Sequence, residues 1–424
     1  MTTTSAGEND GLAPLAAYLG ATAGPADAAR EPLTIGWVTN AAGPFAQPDV
    51  DRVMLTAVAL LNERFGGVGG RPLAVRRFGV DGSDDESAAA AAELLADPAV
   101  RLVLEGSMGL GGAALHRALG GRIAVAVMSP IGRHDLASPG AYCLTAGSAA
   151  PAPAFAHYLT NVLDVDEVAV VRVAFDRTSD PIEAAIRDAM AARGGVARVG
   201  YYGALGRSPL GWTDQTGVDR AVADAGVRDA QAVVLLAIPN PETVALNARA
   251  LERVGYDGPV LALPFGLTEQ LADELGDLPR WTYMAPDPLV AAPDPTGHVA
   301  AYLAAIRQHL PGVDPGDLFM TSVPAFGSVM TLARILAPLA DREVDRDAVR
   351  AAIAQYRGPV FLGPPATPVR ADPDEIAVGT RAARWYGYRG DGEWSLVADW
   401  AEPRPHADGG CESTAATPQE GNPT

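Results

Sequence analysis

Leu61-Asn62-Glu63-Arg64-Phe65-Gly66-Gly67-Val68-Gly69-Gly70-Arg71-Pro72-Leu73 is the stretch whose reading decides the fold. On its left, Val53, Leu55, Val58 and Leu61 recur at near-helical spacing, so Asp51 to Phe65 is predicted as a helix, and Gly66-Gly67 stops it. On its right, Pro72 to Val80 reads as a strand carrying Arg76 and Arg77 near its middle. Further out the pattern repeats. Leu33 to Val38 is a strand, 40–46 a loop, Asp84 to Ala96 an Ala-rich helix and Val100 to Leu104 a strand. Gly106-Ser107-Met108-Gly109 precedes another helix to Leu119, and Ile123 to Met128 is a strand ending in Ser129-Pro130. Strand alternating with helix argues for a parallel sheet covered on both faces.

The alternation restarts after a polar stretch at 146–153. Strands are expected at Val168–Ala174, Val196–Tyr202, Ala232–Ala237 and Val260–Leu263, with helices at Asp180–Arg193, Asp219–Ala225 and Glu242–Val254. Beyond 268 the rhythm changes: helices are expected at 297–309 and 321–339, and aromatic strand signals stand at Trp385-Tyr-Gly-Tyr388 and Trp394-Ser-Leu-Val397. The chain therefore reads as two α/β units in tandem. Its 424 residues agree, since about 150 residues per domain gives two to three domains.

Composition narrows the function classes. Apolar residues are 48% of the chain, enough to bury a core. Acidic residues outnumber basic ones by 51 to 32, a formal charge of −19, which argues against a phosphate-reading face and against docking on anionic membrane. All 32 basic residues are arginine; without lysine there is no P-loop. Cys143 lies in an apolar stretch and Cys411 in a polar one, so neither a disulfide framework nor a cysteine zinc site is expected. The six histidines show no metal-ligand spacing. No cofactor is expected, nor insertion in a membrane, because no apolar run approaches the roughly 18 residues of a bilayer span. Residues 1–30 show neither the basic start nor the apolar run of an export signal, and no cysteine to take a lipid. As written the protein is expected in the cytoplasm, and exported if the true start lies upstream. Residues 402–424 read as a disordered tail.

The order of pieces resembles the type I periplasmic-binding-protein superfamily, in its branched-chain amino acid and amide receptor branch. The pieces are the Gly43-Pro44-Phe45 loop, the 61–73 junction, Asp81-Gly-Ser-Asp-Asp85, Leu104-Glu-Gly-Ser107, Ser129-Pro130, Ala300-Ala-Tyr302, Pro324-Ala-Phe-Gly327 and Arg346-Asp-Ala-Val-Arg-Ala-Ala-Ile353. The resemblance implies two doubly wound parallel-sheet lobes joined by a three-crossover hinge, with the ligand in the cleft between them. It divides the chain into a flexible segment 1–31, lobe 1 at 32–148, lobe 2 at 149–268, a return to lobe 1 at 269–345 and a last visit to lobe 2 at 346–401.

Ligands of open parallel sheets bind beyond the carboxyl ends of the strands, here the loops 40–46, 105–109, 129–132, 175–180, 238–241 and 264–267. In amino acid receptors of this family the ligand carboxylate sits on a Gly-Ser-Ser type turn at a helix N-terminus, where free N–H groups and the helix dipole attract it. Gly106, Ser107 and Met108 occupy that turn, with Met108 in place of the second hydroxyl, and Ser129 matches a second polar anchor. Ser107 reads equally as a helix N-cap worth about 1 kcal/mol. In lobe 2 the resemblance implies an aromatic and an acid holding an amino group. Phe175, Asp176 and Arg177 stand in that loop without the usual Tyr-Gly pair; Asp176 suits an ammonium, Arg177 suits an acidic group, and the two also suit a surface pair. Phe45, Met108 and Phe265 favour a more apolar or aromatic small molecule over an α-amino acid.

Gly109-Leu-Gly111-Gly-Ala-Ala114 formally matches a dinucleotide fingerprint, with Asp135 about 20 residues on. It is a short match in a glycine-rich chain. No nucleophile, base and orienter group together in the sequence. Three functions follow. One is a non-catalytic solute receptor working with an ABC permease. A second is a cytosolic ligand sensor with a regulatory partner, similar to the amide-responsive regulators. A third is an enzyme repurposed from the binder.

Overall fold

The computed structural model describes residues 11–21, 24–41, 48–106, 112–128, 138–144, 151–174, 179–203, 214–236, 241–262, 281–285, 296–313, 315, 318, 322–342, 344–356, 358–362, 382–388 and 394–401. The chain starts with α1 (Ala13–Leu19) and then alternates: β1 (Leu33–Asn40), α2 (Pro48–Arg64), β2 (Leu73–Val80), α3 (Asp84–Ala96), β3 (Val100–Gly106), α4 (Gly112–Leu119), β4 (Ala124–Val127) and β5 (Ala141–Cys143). These strands form one all-parallel sheet in the order β2-β1-β3-β4-β5. A second run follows: α5 (Pro151–His157), β6 (Glu167–Val173), α6 (Asp180–Ala192), β7 (Val196–Tyr202), α7 (Gln215–Asp224), β8 (Ala232–Leu236), α8 (Pro241–Arg253), β9 (Val260–Ala262) and β10 (Trp281–Ala285). The chain ends with α9 (His298–His309), α10 (Ser322–Leu336), α11 (Arg346–Gln355), β11 (Ala382–Tyr388) and β12 (Trp394–Ala401). The second sheet has the order β12-β11-β10-β9-β8-β6-β7; it is parallel from β7 to β10 and closes with the antiparallel pairs β10–β11 and β11–β12.

The 61–73 stretch is a joint in which each unusual residue has work to do. Asn62 exchanges two hydrogen bonds with Leu73, donating from Nδ2 to its carbonyl (2.9 Å) and accepting its N–H on Oδ1 (2.8 Å), which fixes the end of α2 against the start of β2. Gly67 has φ +66°, and a Cβ there would overlap the Arg71 carbonyl, so only glycine fits. Arg71 donates to the carbonyls of Ala340 (2.8 Å) and Arg342 (2.9 Å), covering acceptors just beyond α10.

The inner strands β1, β3, β4, β6, β8 and β9 are buried on both faces, while the edge strands β2 and β7 keep exposed residues. In lobe 1, Ile35, Trp37, Leu102 and Leu104 face a core shared with α2, α9, α10 and α11, while Val38, Val103 and Val125 face α3 and α4. In lobe 2, Val171, Val233 and Val260 pack with α7 and α8, and Val168, Val170 and Val234 with α5 and α6. α10 and the turn after it form an apolar stretch of 18 residues, Ser322–Leu339, long enough to span a bilayer, contrary to the expectation that no run approaches that length. Of this stretch, 72% is buried, and it is the central helix of lobe 1.

Three expectations about organisation are corrected. Segment 1–31 is not flexible throughout: Leu12, Leu15 and Tyr18 are buried in the lobe 1 core. Tyr18 donates to the Pro359 carbonyl (2.9 Å), Arg334 lies 4.8 Å over its ring, and Gly24 and Ala26 donate to Arg64 and Asn62. Pro14 sits within the first helical turn, where its missing N–H costs nothing, so it starts α1 rather than breaking it. The boundary at 268/269 falls too early, because β10 pairs with β9 in the second sheet. The boundary at 345/346 also falls too early. α11 buries Val349 and Ile353 in the lobe 1 core, and Arg346 donates to the carbonyls of Leu94, Leu95, Asp97 and Val100. The chain thus passes between lobes after 144, after 285 and after 362; the linking residues, like the tail 402–424, lie outside the described residues.

Candidate functional site

Parallel strands deliver every loop of interest to one edge of each sheet, beyond the carboxyl ends of the strands. Of the residues singled out from sequence, Gly106 is described, as the last residue of β3. Phe45, Ser107, Met108, Ser129, Phe175, Asp176, Arg177 and Phe265 lie outside the described residues, as do Gly109 to Gly111 and Asp135 of the dinucleotide match. What the structure shows is the frame from which these loops leave and to which they return.

In lobe 1 the frame centres on Trp37, which is fully buried. A Cβ on Gly106 would overlap the far edge of the Trp37 ring, so the two are in contact and residue 106 must be glycine. The indole N–H donates to Asp51 Oδ1 at 2.6 Å, and the other Asp51 oxygen is paired with Arg77 of β2. Asp51 stands in the first turn of α2, where a carboxylate is favoured by the helix dipole. Trp37 therefore joins the strand before loop 41–47 to the helix after it, and also supports the exit of β3. Asn40 and Glu105 are buried beside the same edge.

Lobe 2 repeats the device with ions. Arg172, the second-to-last residue of β6, is buried and donates to Asp180 Oδ1 (2.8 Å) and Glu183 Oε2 (2.7 Å) in the first turn of α6. It lies 5.7 Å from the centre of the Tyr201 ring, whose hydroxyl donates to Glu183 (3.1 Å); Arg187 donates to Glu183 as well (2.8 Å). Burial pulls the guanidinium pKa down, but the hydrogen bonds and charges of Asp180 and Glu183 outweigh it and leave the value above the ordinary one. The end of β6 and the start of α6 are thus tied together by Arg172, Asp180 and Glu183. Tyr202 is buried and accepts from Asn247 of α8 (3.3 Å), linking β7 to a neighbouring helix.

Sequence reading missed Trp37, Asp51 and Arg172 as parts of a site. Their signal was present but weak: a large polar-tipped or charged residue within three positions of the carboxyl end of a first strand, followed by acids opening the next helix. Among the described residues no three His, Cys, Asp or Glu side chains group so as to hold a metal.

This arrangement holds the strand ends and helix starts on either side of those segments. The family model for periplasmic binding proteins matches residues 32–382. The chain belongs to this family. No curated protein matches the sequence. Solved structures with the same fold include an ABC transporter substrate-binding protein from Sphaerobacter thermophilus, with TM-score 0.68, 16% identity, and coverage of 88% of this chain and 98% of that one. A solute binding protein of an ABC transporter from Rhodopseudomonas palustris HaA2, in complex with p-hydroxybenzoic acid, gives 0.67, 17%, 88% and 97%. The leucine binding protein LivK from Thermotoga maritima MSB8 gives 0.65, 13%, 87% and 99%. The periplasmic binding protein is of the type I, leucine-binding-like branch, with two α/β lobes. Its family binds small solutes without catalysis, as the substrate-binding part of ABC transporters.

Proposed function

We propose that this protein receives a small organic ligand with an acidic group and an apolar or aromatic body, closes its two lobes on it and delivers it to an ABC permease. The observation that carries the reading is the family match over 32–382, which covers the whole first sheet and the second sheet from β6 to β10, with the segments that follow those strands. The acid would rest on the turn that starts at Gly106, and the apolar body would lie against Phe45, Met108 and Phe265. A fold shared with a p-hydroxybenzoic acid complex makes aromatic carboxylates the first class to try. Closure follows from ligand contact with both lobes, which shifts the population toward the closed form. The test is native mass spectrometry of ligand carried through purification, followed by calorimetric titration of 4-hydroxybenzoate and L-leucine. An apolar or aromatic acid is expected; binding confined to small polar amino acids overturns the ligand class.

A second reading, a ligand sensor acting on a regulatory partner inside the cell, is favoured by one observation. Residues 12–21, ahead of the family match, are packed on lobe 1, and Gly24, Ala26 and Asp27 donate to its backbone carbonyls. Fractionation of the native host with N-terminal sequencing separates the two: export favours the receptor, and a cytoplasmic chain retaining residues 12–31 favours the sensor.

A further inference from the structure

We propose that Trp37, braced by Asp51 and Arg77, is a positioning residue for the ligand site of lobe 1. This rests on the reading of 40–46 and 106–109 as ligand loops. Trp37 lies on β1, which pairs with β2 on one side and β3 on the other. Its ring touches the backbone of Gly106, the point from which the second loop leaves. Its N–H holds Asp51, three residues into the helix to which the first loop returns. Asp51 in turn holds Arg77 of β2. One side chain therefore sets the exit of β3 against the entry of α2, and the two ligand loops share a common support.

Packing alone does not demand this arrangement. A phenylalanine would fill most of the same space, and a buried carboxylate at the start of α2 is costly unless paired. The N–H to carboxylate bond is the part that converts a core residue into a strut. A hydrogen bond to a charged acceptor in a buried place is among the stronger single bonds in a fold, and its loss is expected to change local opening about tenfold.

The experiment is amide hydrogen exchange on the full chain without ligand, comparing wild type with Trp37→Phe, Asp51→Leu and Asp51→Asn. Trp37→Phe and Asp51→Leu are expected to speed exchange about tenfold in peptides covering 38–50 and 104–113, leaving α9 and lobe 2 at wild-type rates. Asp51→Asn keeps an amide oxygen for the indole and should restore most of the protection. Unchanged exchange in both peptides overturns the proposal, and so does acceleration spread evenly over lobe 1 with a matching fall in melting temperature. Should Asp51→Leu fail to fold, Trp37→Phe decides alone. In a second arm 4-hydroxybenzoate and L-leucine are titrated. Where wild type binds either, Trp37→Phe is expected to weaken it about tenfold, and equal affinity overturns the positioning role. Where wild type binds neither, the ligand class proposed above fails, and the exchange result still decides the brace.

Discussion

In lobe 1 the first strand, β1, reaches the helix that follows it, α2, through an uncharged indole N–H on Asp51; in lobe 2 the first strand, β6, reaches α6 through the Arg172 guanidinium on Asp180 and Glu183. The elements joined correspond, a first strand and the helix after it, but the chemistry differs. An indole brings no charge into the core, so losing it leaves a carboxylate that still has Arg77. A buried guanidinium is tolerable only while its acids are present, and they depend on it equally. Lobe 1 is thus braced by shape plus one bond, and lobe 2 by a network that stands or falls together.

The largest expected effect breaks the lobe 2 brace. Arg172→Met removes the buried cation and leaves Glu183, 13% exposed, with Arg187 and Tyr201 alone. A loss of about 3–5 kcal/mol is expected, seen by calorimetry as a lobe 2 transition falling well below that of lobe 1. Arg172→Lys keeps the charge but not the two-pronged geometry and should recover only part of this. If Arg172→Met melts like wild type, the network is surface decoration and the comparison fails.

Next in size is Gly106→Ala. Its Cβ meets the Trp37 ring, and overpacking of this kind costs about 1–3 kcal/mol. Combining it with Trp37→Leu should relieve much of the cost, because the clash partner is gone; additive losses would show that the contact is not what restricts residue 106. In lobe 2 no such steric coupling is expected: Ala174→Gly beside the Arg172 network should change stability by about 1 kcal/mol or less.

The sequence made the two lobes visible because period and punctuation are local. The 61–73 joint can be read in place: apolar spacing for α2, two glycines to stop it, and a strand after Pro72. The braces are not local. Trp37, Asp51 and Arg77 are scattered over three elements, and nothing in the sequence says that an indole in an apolar strand needs an acid 14 residues later. The same limit hid α1, whose Tyr18 bonds to Pro359, 341 residues away. It also misassigned α11, because Val349 and Ile353 make an apolar stripe that would suit either lobe. Gly106 was singled out by the resemblance alone; the physical reason for a glycine at the end of β3, contact with the Trp37 ring, is not local.

The smallest effects are in pH, and they should divide the lobes by sign. In lobe 2, burial holds His157 below its ordinary value of 6.5, so the neutral ring is the form the fold favours. Its contribution is complete above pH 6.5 and is lost as pH falls, because the unfolded chain takes the proton more readily. In lobe 1, burial first, then the neighbouring Tyr356 phenol, holds Tyr18 above its ordinary 10.0, and burial raises Tyr356 as well. Each is favoured as the neutral phenol, so that contribution is complete below pH 10 and is lost as pH rises, because the unfolded chain gives up the proton more readily. Calorimetry between pH 7 and 5.5 should therefore lower the lobe 2 transition slightly, and between pH 9 and 11 the lobe 1 transition should fall first. His157→Gln should flatten the acid response and leave the alkaline one, and Tyr18→Phe should blunt the alkaline response of lobe 1. Both transitions moving together at either extreme would mean that the lobes unfold as one unit, and that the contrast between their braces acts on a single cooperative fold.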